Sequence, residues 1–408
     1  MMPNTSFTNL AVVAAIAFGA PLLLGFAPRL RLPATVLEIL AGIVLGPSVL
    51  GWLTVDTPIQ ILALIGVTFI LFLAGLEIDF ERLRGRSLLL ASLGSALSFG
   101  LALLLSYSLS IAGLIDTPLF IGIVLTATAL SVLVPLLKDT GQIATPFGQL
   151  VITAATIVDF GTILLLSLLF SREATSTTTQ LILIGSLVLL AVVVALVILR
   201  AERSTRIAAV LLRLQDTSAQ IRIRGAFLLL ALFVVCAERF GLESVLGAFM
   251  AGAILKLVDR DVMMTHPDFR HKLESVGFGV FIPFFFISSG LRFNLMALFA
   301  SPSALALVPF FVIALLIVRG LPALLYRPLI GTRQTLAAGL LQATTLTFVV
   351  VATQIGVDLG VVSTATSAAF VAAALLSVLI FPLAALTILR GDAPVPHQER
   401  AAALRAEL

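Results

Sequence analysis

About thirteen apolar stretches of near-uniform length follow one another along this chain, and that spacing leaves it few ways to fold. A helix needs ~20 mostly apolar residues to cross the hydrocarbon layer of a bilayer. The qualifying segments are roughly 9–26, 33–50, 58–76, 87–113, 117–137, 147–170, 180–199, 223–239, 243–257, 275–291, 303–326, 334–355 and 363–388. With 60% hydrophobic and 11% charged residues, the chain lacks the polar surface of a water-soluble domain. Runs this long satisfy their own backbone in lipid only as helices. The expected fold is an all-α polytopic membrane protein of about thirteen transmembrane helices. They occupy residues 1–391, with a short cytoplasmic tail at 392–408.

Charge placement supports an odd number of spans. If the N-terminus lies outside, twenty-one of the 25 lysines and arginines fall at cytoplasmic ends or in cytoplasmic loops. Arg172, Arg239 and Arg292 remain outside, and Arg319 falls within a span. That asymmetry is the positive-inside pattern. It predicts a multi-pass protein of the cell (inner) membrane with its C-terminus in the cytoplasm. The basic residues are scattered over helix ends instead of gathered on one face, so no nucleic-acid partner is expected.

Other features remove possibilities. Cys236 is the single cysteine and sits in an apolar helix as a packing residue, so no intramolecular disulfide forms. No Cys/His pair has zinc-ligand spacing, no P-loop or dinucleotide fingerprint occurs, and no nucleophile, base and orienting group can be assembled. The chain reads as neither an enzyme nor the holder of a cofactor or transition metal. Without an ATP-binding element, transport would run on ion gradients or be passive. The N-terminal MMPNTSFTNL has no basic leader, so the first apolar run reads as a retained helix.

The longest polar interruption, Arg200 to Arg224, divides the spans into two sets. It reads as a surface amphipathic helix or as a plain basic loop. The halves are weakly alike: GLEIDF, after Gly75, and GLRFNL, after Gly290, each close an apolar span. Matching them pairs the third span with the tenth. An odd offset makes matched helices run in opposite directions, the inverted-topology repeat of secondary transporters. The same offset pairs the fifth span, with Thr126, Thr128, Ser131 and Pro135, with the twelfth, with Gln342, Thr344, Thr345 and Thr347. Pro135 cannot donate to the carbonyl of Ser131. Two discontinuous helices crossing near mid-membrane would expose free backbone groups able to hold an ion. Hydroxyls bonding back within ordinary helices is the other reading.

Asp159 stands alone in the run LVITAATIVDFGTILLLSLLF, with no basic residue for ten positions on either side. An ionised carboxylate at a helix centre costs roughly 2.5–3.5 kcal/mol on insertion scales, so an intramembrane acid is read as functional. One carboxylate that binds either a proton or a cation, in a site open alternately to each side, enforces exchange of one for the other. Hydroxyls and carbonyls would complete a hard oxygen shell for sodium or potassium. Glu38 begins an apolar span and either lines a cytoplasmic funnel, partners Arg319 or sits in water. Glu77 and Asp79 with Arg82 and Arg84, like Glu238 with Arg239, read as solvated clusters at span ends.

The run TATALSVLVPLLKDTGQIATPFGQLVITAATIVDFGTILLL resembles the monovalent cation:proton antiporters, in particular the second cation:proton antiporter family with its sodium/hydrogen exchanger domain. LEILAGIVLGPSVLG, FLAGLEIDFERLR, LGAFMAGAIL and FIPFFFISSGLRFNL are similar to that family's segments, in its order. The resemblance implies a thirteen-span homodimer whose core part moves against a dimerisation part. It implies a crossing of unwound helices at Thr126 to Ser131 and at Thr344 to Thr347. It also maps the ion-binding carboxylate onto Asp159 and an intramembrane basic residue onto Arg319. Val158 stands where many relatives have a second Asp, and Thr345 where they often have Glu or Gln. The former favours electroneutral exchange and leaves the partner of Arg319 open.

The expected function is therefore exchange of a monovalent cation, Na+ or K+, for protons. Thr126, Thr128, Ser131, Thr344 and Thr345 would surround Asp159, and Arg319, Pro135 and Glu38 would act structurally or electrostatically. The competing readings are proton-coupled transport of an organic ion and a non-transporting scaffold or sensor.

Overall fold

A computed structural model of the chain describes residues 7–26, 33–76, 85–143, 145–169, 177–202, 220–258 and 268–389. The charged runs at 77–84 and 203–219 and the tail from 390 lie outside these residues, and with them the readings of Glu77, Asp79, Arg82, Arg84 and most of the Arg200–Arg224 connection. Among the described residues every regular element is helical.

The first half holds α1 (Phe7–Phe26), α2 (Ala34–Leu45), α3 (Thr57–Leu76), α4 (Gly85–Ile111), α5 (Pro118–Leu125), α6 (Leu130–Asp139), α7 (Pro146–Leu169) and α8 (Thr177–Glu202). The second holds α9 (Ile221–Arg239), α10 (Ser244–Val258), α11 (Asp268–Val276), α12 (Ile282–Arg292), α13 (Leu295–Ala300), α14 (Pro302–Leu315), α15 (Arg327–Ala343), α16 (Thr347–Asp358) and α17 (Thr364–Leu389). Each apolar segment read from the sequence coincides with one helix, or with one helix that breaks or changes pitch. Among the described residues seven stretches suffice by length and hydropathy to cross a membrane unaided, and Pro302–Asp358, at 57 residues, is nearly three times the ~20 that a span needs.

Two pitch changes lie just ahead of prolines. A π-helical turn at Gly277–Phe281 joins α11 to α12 before Pro283, and another at Leu316–Gly320 follows α14 before Pro322. Proline donates no amide to the carbonyl four residues earlier, and wide turns are one way a helix absorbs that loss. The second wide turn carries Arg319 and passes through a 3₁₀ segment, Pro322–Tyr326, into α15.

Glycines set the closest helix contacts. A Cβ at Gly75 on α3 would collide with the Phe249 carbonyl of α10, and one at Gly252 on α10 with the Phe72 carbonyl of α3. The same reciprocal arrangement joins Gly42 on α2 to Ile287 of α12, and Gly290 on α12 to Ile39 of α2. Small residues at both sides of a contact let backbones touch, which membrane helices need because lipid gives no hydrophobic drive to associate. The third span thus packs on the ninth as the tenth packs on the second, the pattern an inverted repeat predicts for GLEIDF and GLRFNL.

Helices α1–α3 and α9–α12 pack on one another as one group. Helices α4–α7 and α14–α17, with the two irregular turns at 316–326, form the other, and α8 touches α7 and α10. Residues of both groups line a cavity that Asp159 and Thr128 reach.

Candidate ion-binding site

The fifth span is broken. α5 ends at Leu125, α6 begins at Leu130, and residues 126–129 between them are not helical. Leaving the helix frees the amide of Thr128, which donates to Oδ1 of Asp159 at 3.1 Å. The Thr128 hydroxyl donates to the same oxygen at 2.6 Å. The carboxylate on α7 therefore rests on a backbone group that an unbroken helix would have used internally. Hydrogen bonds to ionised groups are about twice as strong as neutral ones. Thr126 braces the turn: its hydroxyl donates to the Ile123 carbonyl at 2.7 Å and lies 3.1 Å from the Thr162 hydroxyl on α7.

The twelfth span breaks as well, at residues 344–346 between α15 and α16. Leu346 takes φ −155° and ψ −69°, far from helical. Ser377 on α17 clamps this segment. It accepts from the Thr345 amide at 3.1 Å, and its hydroxyl, shared with Ala374, donates to the Thr345 carbonyl at 2.9 Å. The Thr345 hydroxyl is buried without a partner, and that of Thr344 bonds back to Leu340 at 3.2 Å. Both sequence readings of the hydroxyl clusters thus hold at once: the helices are broken, and several hydroxyls still bond to their own helix. Pro135 falls inside α6, so the first break precedes it. Ser131 belongs to the first turn of α6. The side chains of these two residues lie outside the described ones.

Arg319 is 1% exposed. Its Nη1 donates to the Ser98 hydroxyl on α4 at 3.2 Å, while Nε and Nη2 have no hydrogen-bond partner. Asp159 and the Tyr326 ring both lie within electrostatic reach of it. The Tyr326 hydroxyl sits over Gly94, one turn before Ser98, where a Cβ would come within 2.8 Å of it. A guanidinium so enclosed stays with the core and does not reach water with its stem.

Two cavities approach this centre. The inner one, about 70 Å³, is lined by Asp159, Thr128, Ala129, Leu130, Thr347 and Phe348 from one helix group. Thr35, Ile70, Ala74, Phe278 and Phe286 line it from the other. The larger, about 590 Å³, opens at the ends of α9 and α12, with Glu238, Glu243, Asp358 and Arg292 on its walls. Along α3 the large cavity reaches from Gln60 to Val67 and the small one from Ile70 to Ala74. Along α16 they divide between Phe348 and Val351. A layer of buried side chains about one turn, ~5 Å, thick therefore separates them, with Phe285 lining the large cavity and Phe286 the small one. Glu238, which reads from sequence as a solvated helix end, lines the large cavity.

Glu38 is 4% exposed, inside α2 and not at a wet helix end. Thr128 lies against Asp159, whereas Thr126 meets the same helix at Thr162. Ser98, Thr162, Tyr326 and Ser377 were not singled out, because a lone hydroxyl in an apolar helix carries no signal of a long-range partner.

A family description, "Sodium/hydrogen exchanger, transmembrane", matches residues 14–390. The putative Na(+)/H(+) antiporter YjbQ of Bacillus subtilis is 30% identical over 94% of this chain and 63% of its own length. The probable Na(+)/H(+) antiporter 3 of Methanocaldococcus jannaschii is 27% identical over 91% of this chain and 94% of its own. The Na(+)/H(+) antiporter NhaS5 of Synechocystis is 33% identical over 73% of this chain, which spans 42% of that longer protein. Among solved structures, the sodium proton antiporter MjNhaP1 of Methanocaldococcus jannaschii superimposes with a TM-score of 0.63, at 15% identity, over 94% of this chain and 98% of its own. The broken helix pair, the carboxylate lodged at one break and the match over nearly the whole length agree: the chain belongs to the transmembrane sodium/hydrogen exchanger family.

Proposed function

We propose that the protein is a secondary active transporter that exchanges a monovalent cation, Na+ or K+, for protons by alternating access. The observation that carries this reading is Asp159, held by Thr128 at the break of the fifth span and lining a cavity between two helix groups. Its relatives by sequence bear antiporter names. A proton and a cation compete for one carboxylate, and each occupied form crosses while the charged, empty form is held back. Thr126, Thr128, Ser131 and the Thr344–Thr345 segment supply oxygens around the ion. Arg319, which keeps its charge at any physiological pH, balances the carboxylate when the site is empty. Val158 is fully buried and apolar, so no second acid adjoins Asp159 on its helix, in keeping with electroneutral exchange of one cation per proton. The protein works as a homodimer in the cell membrane, N-terminus outside.

An inner cavity of about 70 Å³ holds a cation and a few waters, since a water needs about 10–15 Å³ of such space. That size disfavours an organic ion. The test is proton flux in proteoliposomes carrying a pH-sensitive dye, with sodium, potassium or lithium added in turn. Cation-dependent flux that disappears in Asp159→Asn is the expected result, and folded protein that moves protons with no cation sinks the proposal. Lowering the pH by one unit should raise the cation concentration for half-maximal flux by about tenfold where the proton dominates the competition.

A further inference from the structure

Glu38 is the one ionisable residue of α2. Its Oε2 is buried with no hydrogen-bond partner. Residues three apart share a helix face, and three positions before Glu38, Thr35 lines the inner cavity opposite Asp159. The carboxyl therefore lies about one turn from that cavity, on the helix group that does not carry Asp159.

Among the described residues no countercharge is placed against it. α1 has no ionisable residue, nor has the turn Gly277–Phe281, and that of α12, Arg292, lies at the far end against the large cavity. On α11, Arg270 is exposed and paired with Glu274 at 2.6 Å, and Asp268, His271 and Lys272 stand on the same helix, which precedes the wide turn. The acid across the inner cavity is Asp159. An isolated ionised carboxylate buried in this way costs several kcal/mol, so something neutralises it. A bound cation would need several oxygens, yet Ser288 and Ser289 of α12 line the large cavity instead. A proton needs only the carboxyl itself.

We propose that Glu38 is a second proton-binding site, about one turn from the inner cavity that Asp159 lines, which releases its proton to cavity water and recovers it from there during the cycle. No other bond changes in that step. The inference rests on the transport reading above, but its test does not. Infrared difference spectra would be recorded across a pH step on purified Asp159→Asn protein, which is expected to be silent in flux. The expected result is a protonated-carboxyl band that Asp159→Asn/Glu38→Gln lacks. In flux assays the pH profile of Glu38→Gln should move by about one unit, and Glu38→Asp should move it back. If the double variant does not fold, glutamate labelled with ¹³C at its side-chain carboxyl, in the Asp159→Asn protein alone, must shift the band. A spectrum without a labelled band, or a Glu38→Gln profile superimposed on the parent's, overturns the proposal. Loss of flux in Asp159→Asn with the Glu38 band intact supports both readings, and retained flux in Asp159→Asn removes only the first.

Discussion

Thr128 and Asp159 meet twice on one oxygen: the Thr128 amide and hydroxyl both donate to Oδ1, at 3.1 and 2.6 Å. The amide contribution exists only because residues 126–129 have left the helix, so the break in the backbone and the placement of the carboxylate are one feature. Removing the hydroxyl alone should leave the amide bond in place. Thr128→Val should therefore weaken cation exchange without abolishing it. A hydrogen bond to a charged group is worth about 1.5–3 kcal/mol, and the expected rise in half-maximal cation concentration is about tenfold or more, with Thr128→Ser close to the parent. The dye assay across a cation titration reads both.

Ser377 holds the other break through the Thr345 amide and carbonyl. Ser377→Ala leaves both buried without that partner, at a cost of about 1–3 kcal/mol each. Thermal unfolding in detergent should show a clear drop, and cation-dependent flux should fall with it. Ser186→Ala, which removes a hydroxyl bonded only within its own helix, should change neither.

Arg319 depends on Ser98 for its one direct hydrogen bond. Arg319→Lys keeps the charge but loses the planar guanidinium that reaches Ser98. The expected outcome is folded protein with slowed exchange. Arg319→Met, which leaves Asp159 without a balancing charge, should lose exchange at high pH first, where the empty carboxylate is ionised. Flux measured across pH for the two variants separates these effects.

Gly252 lies against the Phe72 carbonyl, so a methyl there forces α3 and α10 apart. Gly252→Ala should lower stability by about 1–3 kcal/mol, the usual cost of overpacking. Gly185 on α8 has open space where its Cβ would stand, and alanine is the better helix former by up to about 1 kcal/mol. Gly185→Ala should be neutral or stabilising in the same melt.

By itself the sequence determined the span pattern, because segment length and hydropathy are local properties that a bilayer reads directly. It also singled out Asp159, since a lone acid in an apolar run stands out without any partner being known. The likeness of GLEIDF to GLRFNL is also read there, and the reciprocal glycine contacts of α3 with α10 and of α2 with α12 are consistent with it. Only the tertiary structure decided which hydroxyls act. Thr128 turns to Asp159 while Thr344 turns back to its own helix, a choice set by backbone torsions at the breaks and not by residue type. Ser98, Thr162 and Ser377 owe their roles to packing against other helices, and Glu38 is buried only once the helices have assembled. Such contacts join residues far apart in the chain, as Ser98 and Arg319 are at 221 positions. No local pattern encodes them, because they exist only once the helices have packed.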